Sequence, residues 1–373
     1  VARRIDDYGS ITIPGGTVAF YNDVNVTSSS IDMDEWIHLY DGAGIDVSGE
    51  AWNNWNDPDG LPDQIHLDGG TIILQGRGKL AANAEDSDDS EGVFIDAGAV
   101  VDVGGGYAVD HDGDVTGGDA GSLTIVGREI VLGGDISGYS LVGYSGGSLT
   151  LKSSSLRIIH SGGATGAGLT ATSLTDWWLA QSGFAHLDFY SDGSLIVGDN
   201  VNLQPSTVKY TAPIGKLFAM TYVDASDYDA DQIEATSVGL TAHAATFSGG
   251  GSSSTSTDVV SIRKSAAIEV TPGGTIALNG PYISIEGDLV ARGGSVTAAA
   301  SVGDVTLGSG ASIDVSGYTR QMTYSHAPGL PLVYAVHAGG SVALEASEGI
   351  IAMADGSWID VSGSQRVTNY YRN

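Results

Sequence analysis

The stretch "GSGASIDVSG", residues 308–317, decides the fold, because variants of it recur along the chain. The variants are "GAGIDVSG" at 42–49, "AGAVVDVGG" at 97–105 and "GSWIDVSG" at 356–363. Successive side chains of a strand point to opposite faces, so Ile313 and Val315 share one face and Asp314 lies on the other. We therefore expect the apolar pair to face a core and the aspartate to be a solvated, outward-facing residue. Gly317 would then occupy a corner with positive φ, which costs glycine little.

A second phrase, Gly-Gly-(Ser/Thr) followed by an alternating apolar run, recurs beside the first. Its clearest copies are "GGTVAF" at 15–20, "GGTIIL" at 69–74, "GGSLTL" at 146–151, "GGTIAL" at 273–278, "GGSVTA" at 293–298 and "GGSVAL" at 339–344. The distance between the two phrases is the same in two places, 17 residues from Gly293 to Gly310 and from Gly339 to Gly356. A third short run lies between them in both places, "GDVTLG" at 303–308 and "GIIAMA" at 349–354.

The apolar residues of these runs follow one another at an almost constant step of 8 to 9 residues. They are Val296, Val305 and Ile313 in one round, and Val342, Ile350 and Ile359 in the next. Such a step accommodates a strand of about five residues and a turn of about three. Three strands repeated in the same order form a coil, and stacked coils form a β-solenoid. The sequence therefore predicts an all-β parallel β-helix with three short strands per coil of about 20–23 residues.

We expect residues 1–373 to form a single β-helix domain that several loop insertions interrupt. The insertions lie near 50–64, 81–92, 107–121 and 160–270. Within the last of them, residues 222–235 are the best candidate for a helix or a loop. Neither end of the chain reads as a capping helix, although open strand edges need protection. This favours a segment of a longer chain or filament, or a unit that stacks end to end.

The charge balance limits the partners. The chain has 45 acidic and 15 basic residues, and its net charge is −30. Such a surface repels phosphate backbones, so we expect no nucleic-acid partner. No apolar run is long enough for a membrane-spanning helix, and we expect no membrane insertion. Divalent cations are favoured, above all Ca²⁺, because hard cations prefer carboxylate oxygens.

Two acidic loops are the candidate calcium sites. The first has carboxylates spaced around Gly60, and the second begins like an EF-hand loop but has its glycine at the fourth position instead of the sixth. The residues are Asp57, Asp59 and Asp63 in the first loop, and Asp110, Asp112, Asp114 and Asp119 in the second. The alternative is that these are solvated acidic turns in a very acidic protein. No other cofactor is expected.

Four tryptophans are candidates for contacts with glycans or a partner protein. Trp52 and Trp55 lie in the first insertion, and Trp177 and Trp178 lie in the fourth. Aromatic side chains in polar loops stack on sugars or on protein partners. The alternative is that they fold back and cover the flank of the solenoid.

Enzymatic activity is not expected from the sequence. The eight histidines show no metal-ligand spacing, and the basic residues are scattered. The rival hypotheses are a polysaccharide lyase or hydrolase, which needs paired carboxylates or a base in one groove, and a glycan-binding module. Insertions 50–64, 81–92 and 107–121 on one flank would favour the enzyme, whereas insertions spread around the rod would disfavour it.

The alternation of the two phrases resembles the filamentous haemagglutinin-like family of large bacterial exoproteins. The resemblance is best over 15–49, 69–151 and 270–363, and it is one of repeat style. It implies a right-handed parallel β-helix, exported from a Gram-negative-type bacterium by an outer-membrane transporter partner. It also implies an extracellular or cell-surface filament that acts in adhesion, aggregation or biofilm. We expect such a shaft to associate with itself and to contact glycans, a host or a neighbouring cell.

Overall fold

The computed structural model describes residues 4–23, 36–55, 65–77, 92–160, 172–211, 221–224, 233–244, 257–322 and 333–364. These residues form strands β1 to β36, numbered in chain order, and one short helix, α1 (Asp176–Gln181). The protein is all-β, and most of its strands belong to long parallel sheets. This arrangement is compatible with a β-solenoid.

The longest sheet, sheet A, has nine strands, and every neighbouring pair is parallel. Its members in spatial order are β3 (Thr17–Asp23), β7 (Thr71–Arg77), β12 (Ser122–Gly127), β15 (Gly147–Ser153), β18 (Phe184–Ser191), β23 (Ser237–Ala242), β26 (Thr275–Gly280), β29 (Ser295–Ala300) and β34 (Ser341–Ala346). Spatial order and chain order agree along the whole sheet, so the chain adds one strand to the same edge on each return.

A second set of strands forms sheets B1 and B2, which are parallel throughout. Sheet B1 contains β1 (Ile5–Asp7), β4 (Trp36–Leu39), β8 (Gly92–Ile95) and β13 (Glu129–Leu132). Sheet B2 contains β17 (Thr172–Thr175), β16 (Leu156–Ile159), β19 (Leu195–Val197), β24 (Val259–Ile262), β27 (Tyr282–Ile285), β30 (Val305–Leu307) and β35 (Ile351–Met353).

A third set forms the parallel sheets C1 and C2. Sheet C1 contains β14 (Asp135–Ser137), β9 (Val100–Asp102), β5 (Gly44–Asp46) and β2 (Ser10–Thr12). Sheet C2 contains β20 (Asn202–Leu203), β25 (Ala267–Glu269), β28 (Asp288–Val290), β31 (Ser312–Asp314) and β36 (Trp358–Asp360). After β26 the chain visits sheets A, B2 and C2 in strict rotation.

Three small sheets lie outside this rotation. The first joins β6 (Ala51–Asn53), β10 (Tyr107–Val109) and β11 (Val115–Gly117). The other two are antiparallel hairpins, β21 (Val208–Thr211) with β22 (Thr221–Asp224), and β32 (Thr319–Met322) with β33 (Val333–Val336). All of them follow a strand of sheet C1 or C2 and precede a strand of sheet A.

The core consists of apolar ladders that run from strand to strand at fixed register. One ladder of sheet A contains Val18, Ile72, Leu123, Leu149, Leu187, Val238, Ile276, Val296 and Val342. Every member except the last is buried, and Val342 is partly buried. Full burial of an aliphatic side chain is worth about 1.5–3 kcal/mol. The inward ladders are therefore the main stabilising feature of the fold.

The Gly-Gly phrase exists because the strands approach closely at that point. A Cβ atom on Gly294 would lie 1.9 Å from the carbonyl oxygen of Gly274, and one on Gly340 would lie 1.9 Å from that of Gly294. No side chain fits at such a distance. The second glycines of consecutive phrases, Gly274, Gly294 and Gly340, thus form a backbone ladder of their own ahead of β26, β29 and β34.

Two details of the sequence interpretation are wrong. Ile351, not Ile350, lies opposite Val305, and Ile350 is 64% exposed. Positive φ belongs to the glycine three residues before the isoleucine of the phrase, since Gly310 has φ +81° and Gly317 is not among the positive-φ residues. Gly317 is instead required by close approach, because a Cβ there would lie 2.2 Å from the carbonyl oxygen of His337.

The aspartate of the IDVSG phrase is not simply solvated, which corrects the expectation from the sequence. The Oδ1 atom of Asp314 accepts a hydrogen bond of 2.9 Å from the backbone N–H of Ser316, and its side chain is 15% exposed. Asp46 accepts the same bond from Ser48 at 2.9 Å. The carboxylate closes the turn that follows each strand, as aspartates do in Asx-turns.

The candidate segment for a helix or a loop stays largely untested, and the helix of the described residues lies in another segment. Residues 222–235 contain the end of β22, and residues 225–232 lie outside the described residues. Helix α1 follows β17 instead, and the hydroxyl of Thr175 accepts from the N–H of Trp178 at 3.4 Å as its N-cap. In the chain it stands between a strand of sheet B2 and a strand of sheet A, where other rounds have a strand of sheet C1 or C2.

A candidate binding surface on the loops between sheets C and A

Two of the predicted insertions meet in one small sheet. Strand β6 belongs to the insertion at 50–64, and β10 and β11 belong to the insertion at 107–121. Strand β10 pairs in parallel with β6, so that Trp52 lies opposite Ala108, and it pairs antiparallel with β11. We call this sheet with the turn between β10 and β11 the corner sheet. It places the tryptophan loop and the second acidic loop on the same side of the molecule.

The two tryptophans of the corner sheet differ in their surroundings. Trp52 is 37% exposed. Trp55 is half-buried against the turn between β10 and β11, since a Cβ on Gly113 would lie 3.2 Å from Trp55 Cδ1. The backbone N–H of Trp55 donates to Asn53 Oδ1 at 3.2 Å. Trp52 is therefore the exposed aromatic side chain of this sheet, whereas Trp55 supports the turn.

The acidic turn is organised by Asp110. Its Oδ1 atom accepts from the backbone N–H groups of Asp112, at 3.0 Å, and Asp114, at 2.8 Å. The side chains of Asp112 and Asp114 are exposed at the tip. The carboxylate of Asp110 is engaged by the backbone, so two exposed carboxylates remain at this tip.

Asp119 does not join them. It follows β11, and its Oδ1 atom accepts from the N–H of Ser145 at 2.8 Å, while its own N–H donates to Asp68 Oδ1 at 3.0 Å. Asp119 lies five positions after Asp114, on the far side of strand β11. Among the described residues, no group of three or more His, Asp or Glu side chains is arranged to hold a metal ion. Asp57, Asp59 and Asp63 lie outside the described residues, and the calcium sites stay predictions.

Strand β21 contacts the corner sheet from the side through Tyr210, and we call these contacts the second layer. The rings of Tyr107 and Tyr210 meet edge to face with centroids 6.2 Å apart, and the Tyr210 hydroxyl donates to the carbonyl of Gly105. The N–H of Val142 donates to the Tyr210 carbonyl at 3.1 Å, and the N–H of Tyr210 donates to the Ser140 carbonyl at 3.0 Å. The loops of successive rounds are thus joined along one flank.

Lys209 lies at the base of this layer and is 2% exposed. Its Nζ donates to Ser140 Oγ at 3.0 Å, to the Tyr144 carbonyl at 3.0 Å and to Glu234 Oε2 at 2.9 Å. Burial lowers the pKa of Lys209, against the attraction of Glu234 and Asp119. All three ammonium donors are used, so this lysine has a structural role. No repeat or motif in the sequence pointed to this pair, which is 25 positions apart in the chain.

The tryptophans of the fourth insertion lie on α1, apart from the corner sheet in the chain. Trp177 is 63% exposed, whereas Trp178 packs against the core. The Asp176 side chain is buried, and it accepts from the N–H of Asn202 at 3.1 Å and lies 2.8 Å from His160 Nδ1. Trp178 thus covers the flank, which was the alternative for these residues, and Trp177 is the exposed candidate.

A cavity of about 290 Å³ lies at the carboxyl ends of the sheet A strands, away from the corner sheet, which precedes their amino ends in the chain. Asn279, Ala299 and Glu345 succeed one another in register, and the small middle residue leaves a gap. His243 lines the cavity and lies 3.0 Å from Asp258 through its Nδ1 atom. The described residues that line the cavity include Asn279, Glu345 and His243 but no Phe, Tyr or Trp.

Comparisons with family models, with curated proteins and with solved structures found no match to this chain. The search for membrane-spanning helices, made over the described residues, found none that is long and apolar enough.

Proposed function

We propose that this chain is a structural shaft of an extracellular filamentous adhesin. In this proposal the three sets of sheets wind as a right-handed parallel β-helix with three short strands per coil of about 20–23 residues. The proposed role is mechanical and not catalytic. It holds exposed loops at fixed positions along a rod.

The observation that carries the proposal is sheet A, with nine parallel strands in continuous register. At a spacing of about 4.8 Å per strand, it extends about 38 Å along the stacking direction. Backbone hydrogen bonds run along that direction from strand to strand, and bending would lengthen many of them at once. Such a sheet with buried apolar ladders is suited to bear load.

The setting of the shaft follows from the resemblance of its repeats. We propose that it is displayed on the surface of a Gram-negative-type bacterium or released as a fibre, and that an outer-membrane transporter partner exports it. Adhesion to a host or a neighbouring cell, aggregation and biofilm formation are its proposed roles.

The charge of the rod suggests how rods associate with one another. With a net charge of −30, neighbouring rods repel each other at low ionic strength. Cations that bridge carboxylates, Ca²⁺ above all, would allow lateral bundling. Light scattering during a Ca²⁺ titration tests this, with Mg²⁺ as a weaker competitor and Na⁺ as the control. Scattering that does not change with Ca²⁺ would exclude cation-driven bundling.

Electron microscopy of the purified native material, with and without EDTA, tests the shaft itself. We expect thin rods many times longer than sheet A of one chain, and we expect bundles to separate in EDTA. Compact particles of uniform size would contradict the shaft and would bring glycan processing to the front.

A glycan-binding module is the second candidate, and the corner sheet favours it. The exposed ring of Trp52 and the exposed carboxylates of Asp112 and Asp114 belong to one small sheet. Sugars are bound by an aromatic face together with hydrogen-bonding groups. Retention on immobilised glycans should fall in a Trp52→Ala variant, while Trp178→Phe serves as a control outside the corner sheet. Equal retention of Trp52→Ala and the parent would remove this candidate.

For a polysaccharide lyase or hydrolase, the placement of the insertions gives mixed support. The insertions at 50–64 and 107–121 share the corner sheet, as that hypothesis requires. The insertion at 81–92 falls between a strand of sheet A and a strand of sheet B1 in the chain, and residues 78–91 lie outside the described residues. Lys209, the buried basic group of this flank, has all its donors engaged. We therefore keep the non-enzymatic shaft as the proposal.

A further inference from the structure

The ion pair of Lys209 and Glu234 holds an amine and a carboxyl group in contact inside the protein. Lys209 is 2% exposed, and its Nζ donates to Glu234 Oε2 at 2.9 Å. The packing around the amine is tight, since a Cβ atom on Gly146 would lie 3.0 Å from Lys209 Nζ. The carboxyl carbon of Glu234 is one bond beyond the oxygen that the amine contacts, so the two groups are placed for a reaction with each other.

The backbone of Gly146 holds the carboxyl group of Glu234. Its N–H donates to Oε2 at 2.8 Å and to Oε1 at 3.1 Å. A backbone N–H in this position polarises the carboxyl group, and it stabilises negative charge that develops on a carboxyl oxygen when a nucleophile attacks the carbon. The contact therefore orients Glu234 and makes its carbon more electrophilic.

Asp119 is a second carboxylate beside the amine. Its charge acts on the Lys209 ammonium. Its Oδ1 atom accepts from the N–H of Ser145, the residue before Gly146, at 2.8 Å. A carboxylate next to an amine is an acceptor for the proton that the nitrogen loses when it becomes an amide.

The surroundings favour the uncharged forms of the two reacting groups. Burial lowers the pKa of Lys209, because the ammonium loses its hydration. A proton that moves from Nζ to Glu234 Oε2 along their hydrogen bond converts two ions into a neutral amine and a neutral carboxyl group. A desolvated, neutral lysine is a nucleophile.

We propose that Lys209 and Glu234 condense to an isopeptide bond in the folded protein. Nζ attacks Cδ of the protonated carboxyl group, a bond between nitrogen and carbon forms, and the carbonyl electron pair moves to Oε1, next to the Gly146 N–H. Asp119 takes a proton from the nitrogen and passes it to the Oε2 hydroxyl. The bond from Cδ to Oε2 then breaks, Oε1 becomes a carbonyl oxygen again, and one water molecule leaves.

The products are one amide and one water molecule, so the reaction needs no further reactant. The fixed placement of the two groups drives it, since well-oriented intramolecular reactions reach effective molarities of about 10⁵–10⁸ M. The ion pair described above is the form before the reaction. The amide would join β21 covalently to the segment ahead of β23, and this cross-link goes beyond the proposed function because it concerns the chemistry of a single chain.

The mass of the intact folded protein and a tryptic peptide map test the proposal. We expect a mass below that of the sequence by one water molecule. Trypsin cuts after a lysine only when its Nζ is free, so the cut after Lys209 should be missing. The map should instead contain a branched peptide in which residues 158–216 are joined to residues 217–263 through Lys209 and Glu234.

Three variants identify the reacting groups. Lys209→Arg keeps a cation at the site but should show the full sequence mass, since a guanidinium does not lose its proton in proteins. Lys152→Arg, on β15, is the matched control and should show the mass of the parent. Asp119→Asn keeps an oxygen acceptor for the Ser145 N–H and should form the amide more slowly in a time course. Circular dichroism shows that each variant is folded.

Three outcomes would overturn the isopeptide bond. These are a folded parent that keeps the full sequence mass after long incubation at neutral pH, a branched peptide that joins Lys209 to a residue other than Glu234, and a mass loss that develops equally in urea. An Asp119→Asn variant that reacts at the rate of the parent would exclude Asp119 as the proton carrier. None of these results depends on whether the protein forms rods, which electron microscopy tests separately.

Discussion

Asp46 lies directly opposite Asp102 in the parallel register of sheet C1, so that two carboxylates are stacked on adjacent strands. Each also accepts a hydrogen bond from the backbone two residues ahead, Asp46 from Ser48 and Asp102 from Gly104. The turn hydrogen bond favours the ionised carboxylate, whereas the stacking of like charges opposes it. The net effect on the carboxyl pKa therefore differs between aspartates of the phrase: the pKa of Asp102 is raised and that of Asp314 is lowered.

Asp102→Asn should stabilise the protein at neutral pH. Burial raises the pKa of Asp102, and repulsion by Asp46 and Asp135 adds to this, while the Gly104 N–H opposes it. A carboxyl group whose pKa is higher in the folded state stabilises the fold at pH values below the usual pKa of 3.8. This contribution to the free energy of unfolding is lost as the pH rises through the folded-state pKa. Removing the like charge should raise the free energy of unfolding at pH 7 by about 0.2–1 kcal/mol. Urea denaturation at pH 7 and pH 3.5 measures it, and a gain that persists undiminished at pH 3.5 would contradict the charge explanation.

Asp314→Asn should have the opposite effect. Burial acts to raise the pKa of Asp314, but hydrogen bonds from Ser316 and the guanidinium of Arg292, 3.3 Å away, outweigh it and lower the pKa. A lowered carboxyl pKa contributes stability above the usual value of 3.8 and loses it as the pH falls through the folded-state value. We expect a loss of about 1 kcal/mol at pH 7, which shrinks in acid. The same urea series tests it, and a variant as stable as the parent at pH 7 would exclude a role for the carboxylate.

Gly294→Ala should disrupt the backbone ladder ahead of sheet A. The new Cβ would lie 1.9 Å from the Gly274 carbonyl oxygen, so one of the two backbones would have to shift. We expect a loss of more than about 3 kcal/mol, in the range reserved for severe steric conflict. Gly363→Ala is the control, because nothing lies within 4 Å of a Cβ there. Thermal melting of both variants decides the question, and equal melting temperatures would contradict the close approach.

Lys209→Met should lower the free energy of unfolding more than the double variant Lys209→Met/Glu234→Met does. Removing the ammonium leaves the Glu234 carboxylate without its cation, and breaking a buried ion pair costs about 3–5 kcal/mol. Because 18% of the Glu234 side chain is exposed, we expect the lower part of that range. The double variant removes both charges and should recover part of the loss. A double-mutant cycle by urea denaturation gives the coupling, and a coupling near zero would show that the ion pair does not hold the loops.

We predict that calcium binds weakly to the acidic turn of the corner sheet. Trp55 lies against Gly113, so a cation held by Asp112 and Asp114 should change its fluorescence. We expect a dissociation constant of about 0.1–1 mM, as in extracellular calcium modules. Asp112→Asn/Asp114→Asn should abolish the change, whereas Asp355→Asn, far away in the chain, should not. A titration without any fluorescence change would remove this loop as a calcium site.

The repeated phrases predicted the parallel sheets well, because close packing imposes the same residue at every equivalent position. Ile45, Val101 and Ile313 are all 0% exposed, as their spacing required. The same reasoning failed for Ile350, because either of two adjacent isoleucines fits the pattern. It also assigned positive φ to Gly317, since glycine serves both strained turns and close approach, and the sequence does not distinguish the two.

The candidate surface was harder to predict. The segments containing Trp52 and Asp112 were identified separately, and nothing in their sequences showed that they share the corner sheet. The two segments are more than 50 residues apart in the chain, and they meet only because β10 pairs with β6. Lys209 and Glu234 could not be predicted as a pair, because they lie outside the repeated phrases and a single ion pair leaves no periodicity in the sequence.

The glycine ladder ahead of sheet A has a consequence for how such a chain varies in evolution. Because every round offers its neighbours nearly the same outline, a whole round gained or lost leaves two matching surfaces in contact. An insertion or deletion of a few residues inside a round, in contrast, moves the glycine out of register. A residue with a side chain then takes its position and clashes with the neighbouring backbones. The length of the molecule is therefore free to drift in whole units, while its cross-section is held fixed. The loops of the corner sheet, which lie outside that outline, are where new sequence is admitted at the lowest structural cost.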